Sequence, residues 1–167
     1  DMDYGHLDTP VAGNATGVKD TIYYALKSDF LVLQEVVGGV AAAGDGALIS
    51  ATHTFQVGKG FKRLRFTQDT VEANDEQTGD NADSLGTKHM LQGFFPGRKA
   101  VHLEFQNSVK NEDLVILYKD CNGTVLQLGC DCSYAKASSA GGSGKTSGGT
   151  KGAQYTFAAF CAPVEYT

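Results

Sequence analysis

The chain reads as an all-β or β-rich protein with at most a short helix, folded as a β-sandwich or partly open barrel. Three observations lead there. About eight short runs of β-branched and aromatic residues are separated by turn signals. Glycine, at 21 of 167 residues, stands at about twice its usual share and punctuates those runs. No segment carries a three-turn amphipathic helical pattern. The length suits a single domain able to bury a two-layer core.

The elements follow in chain order. Residues 1–17 carry Gly5, Pro10, Gly13 and Gly17 among polar residues, and read as an extended arm ahead of one sandwich domain over residues 18–167. The runs 21–25 and 30–33 are strands divided at Lys27-Ser28-Asp29, and a glycine-rich loop from Gly38 to Gly46 follows. Residues 48–57 and 61–66 are expected to pair as a hairpin about Gly58-Lys59-Gly60, with a basic outer face and a bulge at Lys62-Arg63. Residues 69–83 hold six carboxylates, Asp69, Glu72, Asp75, Glu76, Asp80 and Asp83, without Lys or Arg. They are expected to form a long exposed loop.

Residues 87–95 read as a strand ending at Pro96-Gly97. Val101, Leu103 and Phe105 alternate with polar residues and predict another strand, with 107–113 as a short helical turn or loop. Residues 114–118 are apolar on both faces, which predicts a central strand covered on both sides. Asn122-Gly123 turns that strand into 124–128. Residues 138–152, composed of Ser, Gly, Thr, Ala and Lys, are expected to be a flexible surface loop before a last strand over 154–160.

Composition narrows the function. A net charge of −5 opposes a tight grip on nucleic acid, which needs clustered cations to displace counterions. No apolar run reaches membrane-spanning length, and the opening residues are polar and acidic, unlike a signal peptide. A soluble protein is expected. Cys121, Cys130, Cys132 and Cys161 do not form a paired metal set; Cys130 and Cys132 would face one side of a strand. Free thiols are the favoured reading, and a bridge from Cys130 or Cys132 to Cys161 is the other.

Motifs that could carry chemistry fall short. Gly144-Lys145-Thr146 resembles the end of a phosphate-binding loop, but Ser139 stands where that loop needs glycine and no helix pattern follows. His6, His53, His89 and His102 lack ligand spacing, and no nucleophile elbow is present. The acidic segment lacks calcium-loop spacing. The expectation is a non-enzymatic protein without catalytic residues, cofactor or metal. Phe94 and Phe95 are candidates for a docking patch, with core packing of at least one of them the plainer reading.

The stretches 17–25, 53–61, Phe94-Phe95-Pro96-Gly97, 110–115 and 152–166 resemble major tail proteins of tailed bacteriophages, especially those of Bacteroidetes hosts. That resemblance implies a virion subunit: a sandwich joining a hexameric ring whose strands close a barrel, with rings stacked through arms and loops. It also implies a flanking helix, for which 107–113 is the nearest counterpart. Partners would be copies of the chain and other virion proteins, with DNA only as non-specific cargo in an acidic lumen. The subunit contacts expected are Tyr4, His6 and Pro10 in the arm, and Lys59, Lys62, Arg63 and Arg65 in the basic run. Asp75, Glu76, Asp80 and Asp83 in the acidic segment and Phe94 and Phe95 complete the set. A capsid decoration protein and a carbohydrate-binding β-sandwich are the alternatives; the lack of Trp counts against the latter.

Overall fold

The computed structural model describes residues 16–36 and 45–167. The arm contacts Tyr4, His6 and Pro10 and most of the glycine-rich loop therefore lie outside the described residues.

Period-2 burial places two sheets face to face. The first has the order β3-β12-β9-β8-β1-β5. Its members are β1 (Val18–Leu26), β3 (Leu48–Ile49), β5 (Lys62–Arg65), β8 (Leu114–Asp120), β9 (Val125–Leu128) and β12 (Val164–Tyr166). The second has the order β10-β11-β7-β6, formed by β6 (Glu72–Thr78), β7 (Gly86–Pro96), β10 (Lys136–Gly142) and β11 (Gly152–Ala159). Ile22, Leu64, Ile116, Tyr118 and Leu128 from the first sheet meet Leu91, Ala137, Tyr155 and Phe157 from the second in one core. Apolar burial on that scale, at about 1.5–3 kcal/mol per large side chain, is what holds the layers together. Gly93 permits close contact within it, since a Cβ there would lie 2.7 Å from the Phe66 ring.

The central strand β8 is covered on both faces, as its composition predicts. Leu114, Ile116 and Tyr118 point into the sandwich, while Val115 and Leu117 are also buried. A small antiparallel pair, β2 (Phe30–Val32) with β4 (Thr54–Phe55), stands beside the first sheet. Phe30, Phe55 and Phe61 cluster around it, with centroids 4.6–5.8 Å apart. His53 fixes the cluster to the sheet through Gln127, the register partner of Leu117.

Several sequence expectations are corrected. Residues 100–109 form a helix, α1 (Ala100–Val109), not a strand. The alternating Val101 and Leu103 are exposed, whereas His102, Phe105, Gln106 and Val109 are shielded. Their i, i+3, i+4, i+7 spacing is a helical stripe. His102 Nδ1 accepts the Lys99 N–H at 3.1 Å, which supports the first turn. Phe105 packs edge-on against Tyr24 of one sheet and Tyr155 of the other, at 5.5 and 5.6 Å, so the helix flanks the sandwich.

The acidic segment is no long loop: Glu72–Thr78 is an edge strand, with the turn confined to 79–85. Solvent on its outer side lets a strand with so little apolar character persist, anchored by Val71 and Ala73. Residues 138–142 belong to β10, paired without interruption to β11, leaving 143–151 as the hairpin tip. The hairpin expected between 48–57 and 61–66 does not form. Instead β3 runs parallel to β12, β4 pairs with β2, and β5 pairs with β1. Lys62 and Arg63 keep continuous register with Tyr24 and Tyr23, so the expected bulge is absent.

Cys130 and Cys161 form a disulfide, and Cys121 and Cys132 are free and exposed. The favoured reading of four free thiols is thereby overturned. Residues 130–133 close a turn through reciprocal backbone hydrogen bonds, so Cys130 and Cys132 do not share a strand face.

Candidate functional site

The second sheet presents a broad solvent face and two open edges. Along β6 the side chains of Glu72, Asn74 and Glu76 point outward, opposite Gln92, Met90 and Lys88 of β7. Thr156 and Ala158 of β11, then Ser138 and Lys136 of β10, continue the same rows. The face is mostly polar, with Met90, Phe94 and Ala158 as its apolar members, and Glu72 and Glu76 are balanced by Lys88 and Lys136. Glu72 accepts hydrogen bonds from Asn74 Nδ2 (3.1 Å) and Gln92 Nε2 (3.3 Å), which orders that corner. The carboxylates are therefore gathered at the β6 edge rather than spread over the face.

Both sheet edges lack a further strand among the described residues. They differ in charge. β6 carries Glu72, Asp75 and Glu76, with Asp80 and Asp83 in the following turn. β10 holds Lys136 and otherwise only Ala, Ser and Gly, keeps seven consecutive register pairs and contains no proline. Edge strands are ordinarily protected by charges, prolines or bulges, because unpaired N–H and C=O groups template another strand. β10 has little such protection.

The remaining expected contacts divide. Lys62, Arg63 and Arg65 are exposed on β5, the edge of the first sheet. Arg65 Nε lies 3.4 Å from Asp20 Oδ2, and Lys59 Nζ lies 4.0 Å from Asp29 Oδ1, both within the chain. Among the described residues no ion pair links the basic strand to Asp75, Glu76, Asp80 or Asp83. Phe95 turns inward against His102 at 5.3 Å and packs on the core, so the plainer reading holds for it. Phe94 lies on the other face of β7, opposite Gln154.

Sequence reasoning did not single out the buried pair His89 and Tyr118. His89 Nε2 lies 2.6 Å from Tyr118 Oη, and burial pushes the imidazole below its ordinary range and the phenol above its own. His89 lies on β7 across from Asp75, a pairing visible only once the β6–β7 register is fixed. The loop Gly144-Lys145-Thr146 sits at the exposed β10–β11 tip, where Lys145 bridges Gly148.

Compared with known proteins, the chain matches no family model, no curated protein and no solved structure.

Proposed function

We propose that this chain is a structural virion subunit of the tail-tube type, which assembles head to tail into rings that stack around a DNA-conducting channel. The observation that carries the reading is the pair of unlike open edges on the four-stranded sheet. Pairing β6 with β6 of another copy would set carboxylates opposite carboxylates, which is unfavourable across strands. Pairing the nearly neutral β10 with the acidic β6 of the next copy avoids that repulsion and brings Lys136 toward opposite charge. Such a joint is heterologous, and a heterologous joint generates a ring when its rotation closes. Successive antiparallel pairs make β10 and β6 run in opposite directions, so a ring would continue the sheet as one antiparallel wall.

Two further features support the reading. The face such a wall would turn to the channel is mostly polar and charge-balanced, offering DNA no cluster of cations to hold it. The helix α1 occupies the flank of the sandwich, where the sequence resemblance implies one.

Negative-stain microscopy of the purified chain tests the proposal. Rings or long hollow tubes are expected. Monodisperse small particles at high concentration would favour the decoration-protein alternative.

A further inference from the structure

A cleft of about 650 Å³ opens between the two sheets, between the start of β6 and the Tyr118–Asp120 end of β8. Its lining is charged on one side only. Asp75, Asp120 and Glu165 contribute carboxylates, and among the described residues neither Lys nor Arg borders it. His89 is also among its lining residues, although only 2% of its surface is exposed. While Nε2 meets Tyr118, the buried His89 Nδ1 has no hydrogen-bond partner among the described residues. A buried imidazole nitrogen without a partner is costly, so a ligand that satisfies it gains correspondingly.

These features select the ligand chemistry. An anion would meet three carboxylates and is excluded by repulsion. Among the described residues no group of three or more His, Cys, Asp or Glu is arranged to hold a metal ion. Val18, Leu126 and Pro163 add an apolar wall. In the tautomer whose Nε2–H donates to Tyr118 Oη, Nδ1 carries a lone pair and accepts an N–H.

We propose that this cleft binds an alkyl ammonium or alkyl guanidinium cation, its stem along the apolar wall, its charge beside Asp75 and Glu165, and one N–H donated to His89 Nδ1. Asp120 is the less available carboxylate, because its Oδ1 already accepts the backbone N–H groups of Asn122 and Thr124, each at 3.0 Å. The same chemistry has two sources, a free polyamine or a basic side chain of a second copy, such as those exposed along β5.

Calorimetric titration of the full chain with agmatine, which carries both head groups on one alkyl stem, tests the site. Saturable binding is expected. The double substitution Asp75→Asn with Glu165→Gln should weaken it by about tenfold or more. Both residues are exposed, so the fold should survive, and Glu76→Gln on the opposite face of β6 should leave affinity unchanged. Absence of binding, or equal affinity in the double variant, would overturn the proposal. Where binding occurs, agmatine that disperses preformed assemblies identifies a neighbour's basic side chain as the source, and assemblies that persist identify a free cation. Binding by a chain that never forms tubes would leave the cation site standing and remove only the tube reading.

Discussion

His53 Nε2 donates a 2.7 Å hydrogen bond to Gln127 Oε1, joining the segment before β4 to β9 across 74 positions of sequence. The other ring nitrogen, Nδ1, accepts the Gln34 N–H at 2.9 Å, and the His53 N–H reaches Tyr166 Oη at 3.1 Å. Gln127 Nε2 in turn donates to Gly129 O at 3.0 Å. One neutral imidazole therefore ties the aromatic cover, the six-stranded sheet and the final strand together.

Gln127→Leu tests that tie. It leaves the buried Nε2–H without an acceptor and should destabilise the fold by about 1–3 kcal/mol, read as a lower denaturant midpoint at unchanged slope. An unchanged midpoint would mean that the network contributes nothing.

Acid should weaken the protein before its carboxylates protonate. Burial lowers the pKa of both His53 and His89 below the ordinary histidine value. The unfolded chain then takes up protons near pH ~6.5 that the native state refuses, so stability is complete above that pH and falls as pH drops below it. Each histidine can contribute a slope of up to about 1.4 kcal/mol per pH unit. Urea titrations between pH 7.5 and 5.5 should show the decline, and flat stability over that range would contradict it.

The Cys130–Cys161 bridge closes a loop of 31 positions between the turn after β9 and the segment before β12. Chain-entropy arguments assign such a loop about 3–4 kcal/mol. Mass spectrometry of blocked, unreduced protein should find one Cys130–Cys161 peptide and free thiols at Cys121 and Cys132. Reduction should lower the melting temperature, and four free thiols in freshly oxidised protein would count against the pairing.

Phe105 touches both sheets from the helix. Phe105→Ala should cost about 2 kcal/mol of stability, below the value for a fully buried aromatic because the ring is only partly covered. The helical circular-dichroism signal should fray with it. Full retention of both would show that α1 docks by other contacts.

The strands with strong patterns were legible in the sequence: β1, β7, β8 and β11 lie close to where their apolar runs place them, and Asn122-Gly123 makes the expected turn. The failures share a physical cause. Val101, Leu103 and Phe105 satisfy period 2 by chance, and only tertiary contact reveals that His102, Phe105, Gln106 and Val109 form the buried stripe. β6 and β10 carry too little apolar surface to announce themselves, because an edge strand with one solvent face is held mainly by its neighbour's backbone. The candidate site lies in those two strands. Asp75 and Glu76 were singled out as contacts, but the β10 edge read as a loop and the cleft beside His89 depends on registers between distant segments.

Proline scanning of β10 tests whether copies join through the β10 edge. Neighbouring residues of an edge strand alternate between N–H groups bonded to β11 and N–H groups facing solvent, so of Ser139→Pro and Ala140→Pro one should leave the native ladder intact. The variant that retains the parent's circular-dichroism spectrum is then compared with the parent by sedimentation velocity and negative-stain microscopy. Rings or tubes are expected from the parent and monomers from the folded proline variant. A folded variant that polymerises like the parent, or a parent that stays monomeric at high concentration, would contradict it.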